Sequence, residues 1–433
     1  MQKSNSPDSP GQLGLIGATS MVVASMIGVG AFTTSGFLAA DLNSRPLILA
    51  AWAVGGLIAM LGALNYASLS RMVPESGGEY TYLSRLMNPV AGFLGGWISL
   101  LVGFSAPLAA AALLCGSYLE SYLPGVPKMP LATGILILFS IIQLFGFSLA
   151  TGVHKAIVWT KLVLILVFVA MAVSNLPELP PHQSAPFNPG TFSISLYWIF
   201  FSYSGWNAAV YMSREIHNPQ KTVGLALILG TAIVTILYLA LNFVFIHAVP
   251  LEQIKGEEAV ALIAAKSLGG PFLHHCVAIV ISIGLLTSIS AMMFLGPRVY
   301  GKMAQDGLFP AAIAGTSPPF RNGCLFQTFI ALVMVWTSSF DKIVNFAGFL
   351  LGISTAFCIG AMAVKRLKSS GDQPIAVIGW PIVPLLYMTI IAAQVIFTFK
   401  NQPATILWGI LVISAGVIFH LVFTRLMRCR SES

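Results

Sequence analysis

Twelve stretches of about 20 mostly apolar residues follow one another along the chain, and this pattern restricts its folding more than any other feature. A helix needs about 20 residues to cross the roughly 30 Å hydrocarbon core of a bilayer. A segment in lipid must also satisfy its own backbone hydrogen bonds, as a helix does. We therefore predict an all-α integral membrane protein with twelve transmembrane helices. The predicted spans are residues 13–38, 46–70, 89–117, 130–149, 155–175, 192–212, 222–247, 271–300, 323–338, 343–364, 375–399 and 403–424.

Composition and charge favour a lipid bilayer as the partner and argue against nucleic acid. Of the 433 residues, 57% are hydrophobic and 8% are charged, whereas soluble proteins are about 25% charged. The formal charge of +8 is unevenly distributed: 16 of the 22 basic residues fall on the side of both termini, and 6 fall on the other side. Because an excess of Lys and Arg marks the cytoplasmic side, we predict a multi-pass cell-membrane protein with both termini in the cytoplasm.

The first span is interrupted by two glycines in the segment ASMIGVGAFTTSG. Gly28 and Gly30 each cost about 1 kcal/mol relative to alanine inside a helix. An unwound segment at membrane depth is tolerated where it is buried in protein or lines a cavity. Its freed N–H groups suit a carboxylate and its freed carbonyls suit an ammonium, so the break predicts a site for a zwitterion. The alternative is a seam of small residues that lets two helices pack closely.

The sixth span carries a second interruption, because Ser202, Ser204, Gly205 and Asn207 cluster in its middle. Paired interruptions at corresponding positions are typical of an inverted-repeat transporter with its site at the membrane midplane. We predict a five-plus-five inverted repeat with broken helices 1 and 6, followed by two additional helices. The predicted units are a cytoplasmic tail at 1–12, repeats at 13–175 and 192–366, two helices within 375–424, and a tail at 425–433.

The sequence does not support an enzyme, a metal site or a cofactor site. His274, His275 and Cys276 are adjacent, which is not the spacing of metal ligands on a helix. The chain has no G-x-x-x-x-G-K-[ST] loop for ATP. Asp and Glu are absent from the interior of the predicted spans, while Lys161 lies in the fifth span. An ionisable residue inside a membrane is usually functional, although the Lys161 stem can also extend to the interface.

Five motifs in order carry a resemblance to a known family. They are SMIGVGAF in span one, PESGGEYTYL after span two, FSYSGWN in span six, REIHNPQKT after it, and KMAQDGLFP after span eight. With these motifs the chain resembles permeases of the amino acid-polyamine-organocation superfamily, and is most similar to L-type amino acid transporters and their bacterial relatives. The resemblance covers nearly the whole chain, and it implies a secondary active transporter that works by alternating access.

The resemblance also implies a substrate site between the two broken helices. The substrate carboxylate would meet the N–H groups of Gly28, Val29 and Gly30, and the ammonium would meet the carbonyls of Met26, Phe201 and Ser204. The family usually has serine where this chain has Val29, so one hydroxyl donor is absent. The candidate substrate-binding residues are Met26, Ile27, Gly28, Val29, Gly30, Phe201, Ser202, Ser204, Gly205, Trp206 and Asn207.

The residues near this site indicate a neutral L-amino acid as the substrate. The spans offer no carboxylate for a cationic side chain, and Phe201, Tyr203 and Trp206 are apolar or aromatic neighbours. Related cationic permeases can have glutamate at the position of Asn207. The aromatic residues can alternatively serve helix packing.

Lys161 resembles a fifth-span lysine whose ammonium occupies the sodium position in sodium-independent relatives. Thr287 and Ser288 in span eight, with carbonyls around Val23, are the candidate coupling partners of this ammonium. We therefore expect sodium-independent transport, by proton coupling or amino acid exchange. An exporter, or a nontransporting receptor on the same fold, is the alternative.

Two further expectations concern partners and the cytoplasmic motifs. Animal L-type transporters attach to a single-pass protein through a cysteine between spans three and four, and residues 118–130 contain none. No disulfide-linked heavy chain is expected. Charged residues after span two are expected to pair with the region after span six, as a gate or brace, or else to form a solvated loop. These residues are Arg71, Glu75, Glu79 and Arg85 on one side and Arg214 and Glu215 on the other.

Overall fold

The computed structural model describes residues 13–120, 122–123, 125–145, 152–315, 320–369 and 376–431, without the side chains of residues 152–155 and 428–431. The helices of its first part are α1 Leu15–Met26, α2 Gly30–Leu42, α3 Arg45–Met72, α4 Gly78–Leu86, α5 Pro89–Ile98, α6 Ala106–Glu120, α7 Lys128–Leu144 and α8 Gly152–Val173. Those of its second part are α9 Pro189–Ser202, α10 Pro219–Ala248, α11 Val260–Gln305, α12 Ala311–Ala314, α13 Arg321–Thr337, α14 Phe340–Lys368, α15 Ile382–Asn401 and α16 Pro403–Ser431.

Three shorter segments complete the helical structure. A π-helical segment, Ser99–Ser105, makes α5 and α6 continuous. A 3₁₀ helix, Ala208–Glu215, follows α9 after a turn, and another, Leu251–Gln253, follows α10. The described residues thus form an all-helical protein, with one isolated bridge between Leu13 and Ile216.

Every predicted span coincides with a helix over most of its length, but not every helix is long enough to cross a bilayer by itself. Nine segments of the described chain have the required length and apolar character. The fourth, sixth and ninth predicted spans correspond to α7, α9 and α13, which have 17, 14 and 17 residues. The helical membrane architecture therefore stands, while twelve crossings remain a prediction.

The ends of two predicted segments differ from the structure. The last helix was predicted to end at residue 424, yet α16 continues to Ser431. Charged residues after 424 mark where a chain leaves lipid, but no Pro or Gly there ends the helix. In α11, the backbone departs from helical geometry at Gly269 and Gly270, directly before Pro271, the predicted start of span eight. The predicted tail at 1–12 and the start of the unit at 375 lie outside the described residues.

The broken first span lies at the centre of the bundle. In its most apolar window, 78% of the residues are buried, whereas the corresponding value for Pro403–Met427 is 17%. The first span packs against α9, α10 and α11, and α10 packs along α3. The last helix is thus peripheral, with apolar side chains that suit lipid, and the first span is enclosed by protein.

Charged residues gather at two ends of the bundle. At one end, Arg85 pairs with Glu75, Arg298 with Glu215 and Lys302 with Asp306. A cavity at this end is lined by residues that include Arg71, Glu75, Arg85 and Lys365. Lys128 and Glu258 pair between the start of α7 and the segment before α11. Five of the basic residues that the charge bias assigns to one side of the membrane thus lie at one end: Arg71, Arg85, Arg298, Lys302 and Lys365.

Candidate functional site

The first span is broken at the two glycines. Helix α1 ends at Met26 and α2 begins at Gly30, and Ile27 leaves the helical region with a ψ of 82°. No hydrogen bond among the described residues uses the N–H groups of Val29, Gly30 or Ala31. Since these residues are buried, three consecutive donors lie unpaired in the protein interior. Buried backbone donors are nearly always paired, so this turn is suited to an anionic ligand group.

The sixth span is broken in the same region of the bundle. Helix α9 ends at Ser202, and a turn at residues 203–207 leads into the 3₁₀ helix. Gly205 adopts a positive φ of 93°, which glycine accepts without strain. A methyl group at Gly205 would also lie 2.6 Å from the carbonyl oxygen of Ser25 in α1. Only glycine fits at this contact between the two broken spans.

The two breaks are held together by direct packing and by one tyrosine. A methyl group at Gly30 would lie 2.4 Å from the Cα of Ser202, so Gly30 has a packing role in addition to any ligand role. The hydroxyls of Thr34 and Ser202 are 2.6 Å apart. The Tyr238 hydroxyl donates to the carbonyls of both Met26 and Ser202. Sequence reasoning missed Tyr238, because no motif marks a residue of span seven as a partner of both breaks.

Two of the predicted ammonium acceptors are already occupied. The Met26 carbonyl accepts the Gly28 N–H at 2.8 Å and the Tyr238 hydroxyl. The Phe201 carbonyl accepts the Ser204 N–H at 3.0 Å. The Ser204 carbonyl accepts nothing from the described residues. A carbonyl oxygen has two lone pairs, so of the three predicted acceptors Ser204 has the greatest remaining capacity.

Lys161 is buried and reaches the first break. The residue is 3% exposed, and its Nζ donates to the Ile27 carbonyl at 3.0 Å. The alternative, in which the stem carries the charge to the interface, does not fit this burial. The acceptor of Lys161, Ile27, lies four residues after Val23, whose carbonyl accepts the Ile27 N–H at 3.0 Å; a coupling role for carbonyls around Val23 stays a prediction.

The two candidate coupling residues of span eight, Thr287 and Ser288, make different contacts. The Thr287 hydroxyl donates to the Gly284 carbonyl of its own helix at 2.7 Å, and the Lys161 ammonium donates to Ile27, so a role of Thr287 as a coupling partner stays a prediction. The Ser288 Oγ lies 3.2 Å from the position of a methyl group on Gly28, which places it beside the first break. Span eight approaches the lysine stem at Gly284, where an added methyl group would lie 3.1 Å from the Lys161 Cδ.

Two further span-six residues, Trp206 and Asn207, contact α3 and α4. The Trp206 ring meets Tyr66 edge-on, with ring centroids 4.8 Å apart. The Asn207 Nδ2 donates to Glu79 at 2.6 Å and to the Tyr211 hydroxyl at 3.1 Å. Ser202 donates to the Trp198 carbonyl at 2.7 Å, so its hydroxyl serves helix packing. Sequence reasoning placed Glu79 in a charged loop and missed its contact with the site.

The charged pairs at the end of the bundle differ from those expected. Arg85 pairs with Glu75 of the preceding PESGGEYTYL motif through two hydrogen bonds of 3.0 and 2.8 Å. These hydrogen bonds raise the pKa of Arg85 above its ordinary value. The motif meets the region after span six through the Ser76 hydroxyl, which accepts the Arg214 N–H at 2.9 Å. Glu215 pairs with Arg298 of α11 instead. These contacts brace α4, the 3₁₀ helix and α11 at one end.

Comparisons with known proteins agree with this architecture. The sequence profile described as "Amino acid permease" matches residues 13–425. The serine/threonine exchanger SteT of Bacillus subtilis is 26% identical over 389 residues, covering 87% of this chain and 88% of the relative. The large neutral amino acids transporter small subunit 2 of Oryctolagus cuniculus is 25% identical over 94% of this chain and 79% of its own. The methylthioribose transporter of Bacillus subtilis is 26% identical over 94% and 92%.

Proposed function

Because the chain belongs to the amino acid permease family, whose matched relatives are transporters and not enzymes, we propose that it transports neutral L-amino acids across the cell membrane. The mechanism is alternating access between two inverted repeats, residues 13–175 and 192–366, with both termini in the cytoplasm. The observation that carries this proposal is the juxtaposition of the two broken spans, with three unpaired N–H groups at the start of α2.

The substrate carboxylate binds the N–H groups around Val29 and Gly30, where the dipole of α2 adds attraction for a negative group. The ammonium binds the Ser204 carbonyl, together with Met26 once Tyr238 moves aside. Ser25 adds a hydroxyl that is buried and has no partner in the described chain. Such unpaired polar groups around one turn favour a small ligand with both donors and acceptors.

A neutral side chain suits the charge around this site. The nearby carboxylate, Glu79, is 4% exposed and accepts hydrogen bonds from three neutral groups. A cationic side chain would have to displace these donors to reach it. Two relatives are named for neutral amino acids, the serine/threonine exchanger and the large neutral amino acids transporter.

Sodium is not required, because the Lys161 ammonium provides a fixed positive charge beside the first break. It donates to Ile27 in the gap between α8, α1 and α11. Transport is coupled to protons or to exchange of a second amino acid, and the name of the matched exchanger favours exchange. A heavy-chain partner linked by a disulfide is not part of this proposal.

Flux into proteoliposomes tests the function. Purified protein should take up a radiolabelled neutral amino acid saturably and stereoselectively, and uptake should not require sodium. Amino acid inside the proteoliposomes should accelerate uptake, and arginine should compete poorly. Binding without flux would identify a receptor, and strong competition by arginine would contradict the neutral substrate. Methylthioribose, which one relative is named for, should be tested in the same assay. Uptake of methylthioribose without uptake of any amino acid would contradict an amino acid substrate.

A further inference from the structure

A carboxylate lies against the second break without a basic partner in the described chain. Glu79, in α4, accepts hydrogen bonds from the Tyr66 hydroxyl at 2.9 Å, the Asn207 amide at 2.6 Å and the Tyr211 hydroxyl at 2.6 Å. Tyr66 belongs to α3, while Asn207 and Tyr211 belong to span six. A buried carboxylate is costly unless hydrogen-bonded, so it holds its donors firmly in place.

This carboxylate determines which way the Asn207 amide points. A side-chain amide has a donor nitrogen and an acceptor oxygen, and a carboxylate oxygen attracts only the nitrogen. Both hydrogens of Asn207 Nδ2 are used, one toward Glu79 and one toward Tyr211. The Asn207 Oδ1 accepts nothing from the described residues, and the residue is partly exposed. The amide therefore presents a free acceptor away from α4.

The free acceptor lies at one end of the unwound turn of span six. Ser202, at the other end of that turn, touches Gly30 and thereby the unpaired donors of α2. A zwitterion whose carboxylate binds those donors and whose side chain extends along the turn would bring that side chain to the Asn207 oxygen. The ammonium is assigned to the Ser204 carbonyl in the proposed function, which leaves the Asn207 acceptor for the side chain.

We propose that Glu79 is a positioning residue: it turns the Asn207 oxygen toward the substrate, and the pocket thereby favours neutral amino acids whose side chain carries a hydrogen-bond donor, such as a hydroxyl. This inference rests on the proposed function. A site built to hydrogen-bond a substrate hydroxyl discriminates against an analogue without it, because its own polar group is then left unpaired.

Threonine and valine provide the test, since they have nearly the same shape and differ by a hydroxyl in place of a methyl group. We expect wild-type proteoliposomes to prefer threonine by about three- to tenfold in kcat/KM, the effect of one hydrogen bond. Glu79→Gln offers both a donor and an acceptor to Asn207, which frees the amide to flip. The ratio of kcat/KM for threonine to kcat/KM for valine should then fall toward one. The main cause should be a higher KM for threonine, while valine uptake is retained.

Tyr66→Phe is the matched control. It removes a donor to the same Glu79 oxygen but leaves the Asn207 contacts unchanged, so the threonine preference should persist. If Glu79→Gln cannot be purified, Glu79→Asp serves instead, because it shortens the side chain by one methylene group and moves the carboxylate away from the Asn207 Nδ2, so it should lower the preference.

Four results would overturn the inference. The first three are equal wild-type uptake of threonine and valine, an unchanged preference in the Glu79 variants, and a loss of preference in Tyr66→Phe equal to that in Glu79→Gln. An equal loss of threonine uptake and valine uptake in Glu79→Gln would mean that Glu79 has a structural role only, and would also overturn the inference. Failure of the wild type to transport any amino acid would instead contradict the proposed function.

Discussion

The Nζ of Lys161 donates a hydrogen bond of 3.0 Å to the carbonyl oxygen of Ile27. The donor belongs to the fifth span and the acceptor to the unwound turn between α1 and α2, so the pair joins the outer bundle to the substrate site. Lys161 is only 3% exposed. A charge held at this depth indicates a role in the conformational cycle, and it leads to the first prediction.

Replacing Lys161 with methionine should reduce transport more than binding. Methionine keeps most of the stem but leaves the Ile27 carbonyl without its donor, and a hydrogen bond to a charged group is worth about 1.5–3 kcal/mol. We expect the maximal uptake rate to fall about tenfold or more, with a change in substrate affinity below about threefold. Uptake and equilibrium binding of one radiolabelled substrate measure the two quantities.

Lys128→Met is the control for this prediction. Lys128 is 39% exposed and lies 3.5 Å from Glu258, and exposed ion pairs contribute about 0–1 kcal/mol. Its uptake should remain within about twofold of wild type. Full uptake by Lys161→Met, or stimulation of wild-type uptake by sodium, would contradict the role of Lys161 as a sodium substitute.

The two glycines of the first break should respond differently to alanine. The Gly30→Ala methyl group would meet the backbone of Ser202 at 2.4 Å, whereas the Gly28→Ala methyl group would meet the Ser288 Oγ at 3.2 Å. Overpacking costs about 1–3 kcal/mol, and the Ser202 backbone cannot move without shifting α9. Uptake by Gly30→Ala should therefore be largely lost, with a lower melting temperature, and Gly28→Ala should remain active. Equal activity of the two variants would show that the contact with Ser202 is not tight.

Tyr238→Phe should weaken the connection between the broken spans. The hydroxyl donates to Met26 and Ser202, and one lost hydrogen bond costs about 0.5–1.5 kcal/mol. We expect about fivefold slower uptake in initial-rate assays. Tyr203→Phe is the control, because its hydroxyl donates to the Trp52 carbonyl of α3 at 3.2 Å and does not join the two broken spans. Wild-type uptake by Tyr238→Phe would mean that packing alone holds the breaks together.

Val29→Ser should raise substrate affinity. Val29 precedes α2 and is 4% exposed, so a hydroxyl there would lie beside the unpaired donors and could also donate to the carboxylate. One added hydrogen bond corresponds to an increase of up to about tenfold. Val29→Ala controls for the lost methyl groups and should lack this gain. A serine variant that binds every neutral amino acid no better than the alanine variant would place the carboxylate elsewhere.

The sequence by itself determined the class of fold and the positions of both breaks. Apolar stretches of about 20 residues leave a membrane chain only helices that satisfy their own backbone, and α3, α10 and α14 lie where this rule places them. Glycine and serine in the middle of such a stretch oppose a continuous helix through local backbone energetics. Gly28, Gly30 and Gly205 therefore located the breaks before any contact was known.

The tertiary structure alone decided which atoms remain free at the site. Whether the Met26 carbonyl is open depends on Tyr238, 212 residues further along the chain. Whether Asn207 presents its oxygen depends on Glu79, 128 residues away. Whether the Lys161 ammonium reaches the unwound turn at Ile27 depends on how α8 packs against α1. Such pairings arise from helix packing across long sequence separations, which local periodicity and motifs do not encode.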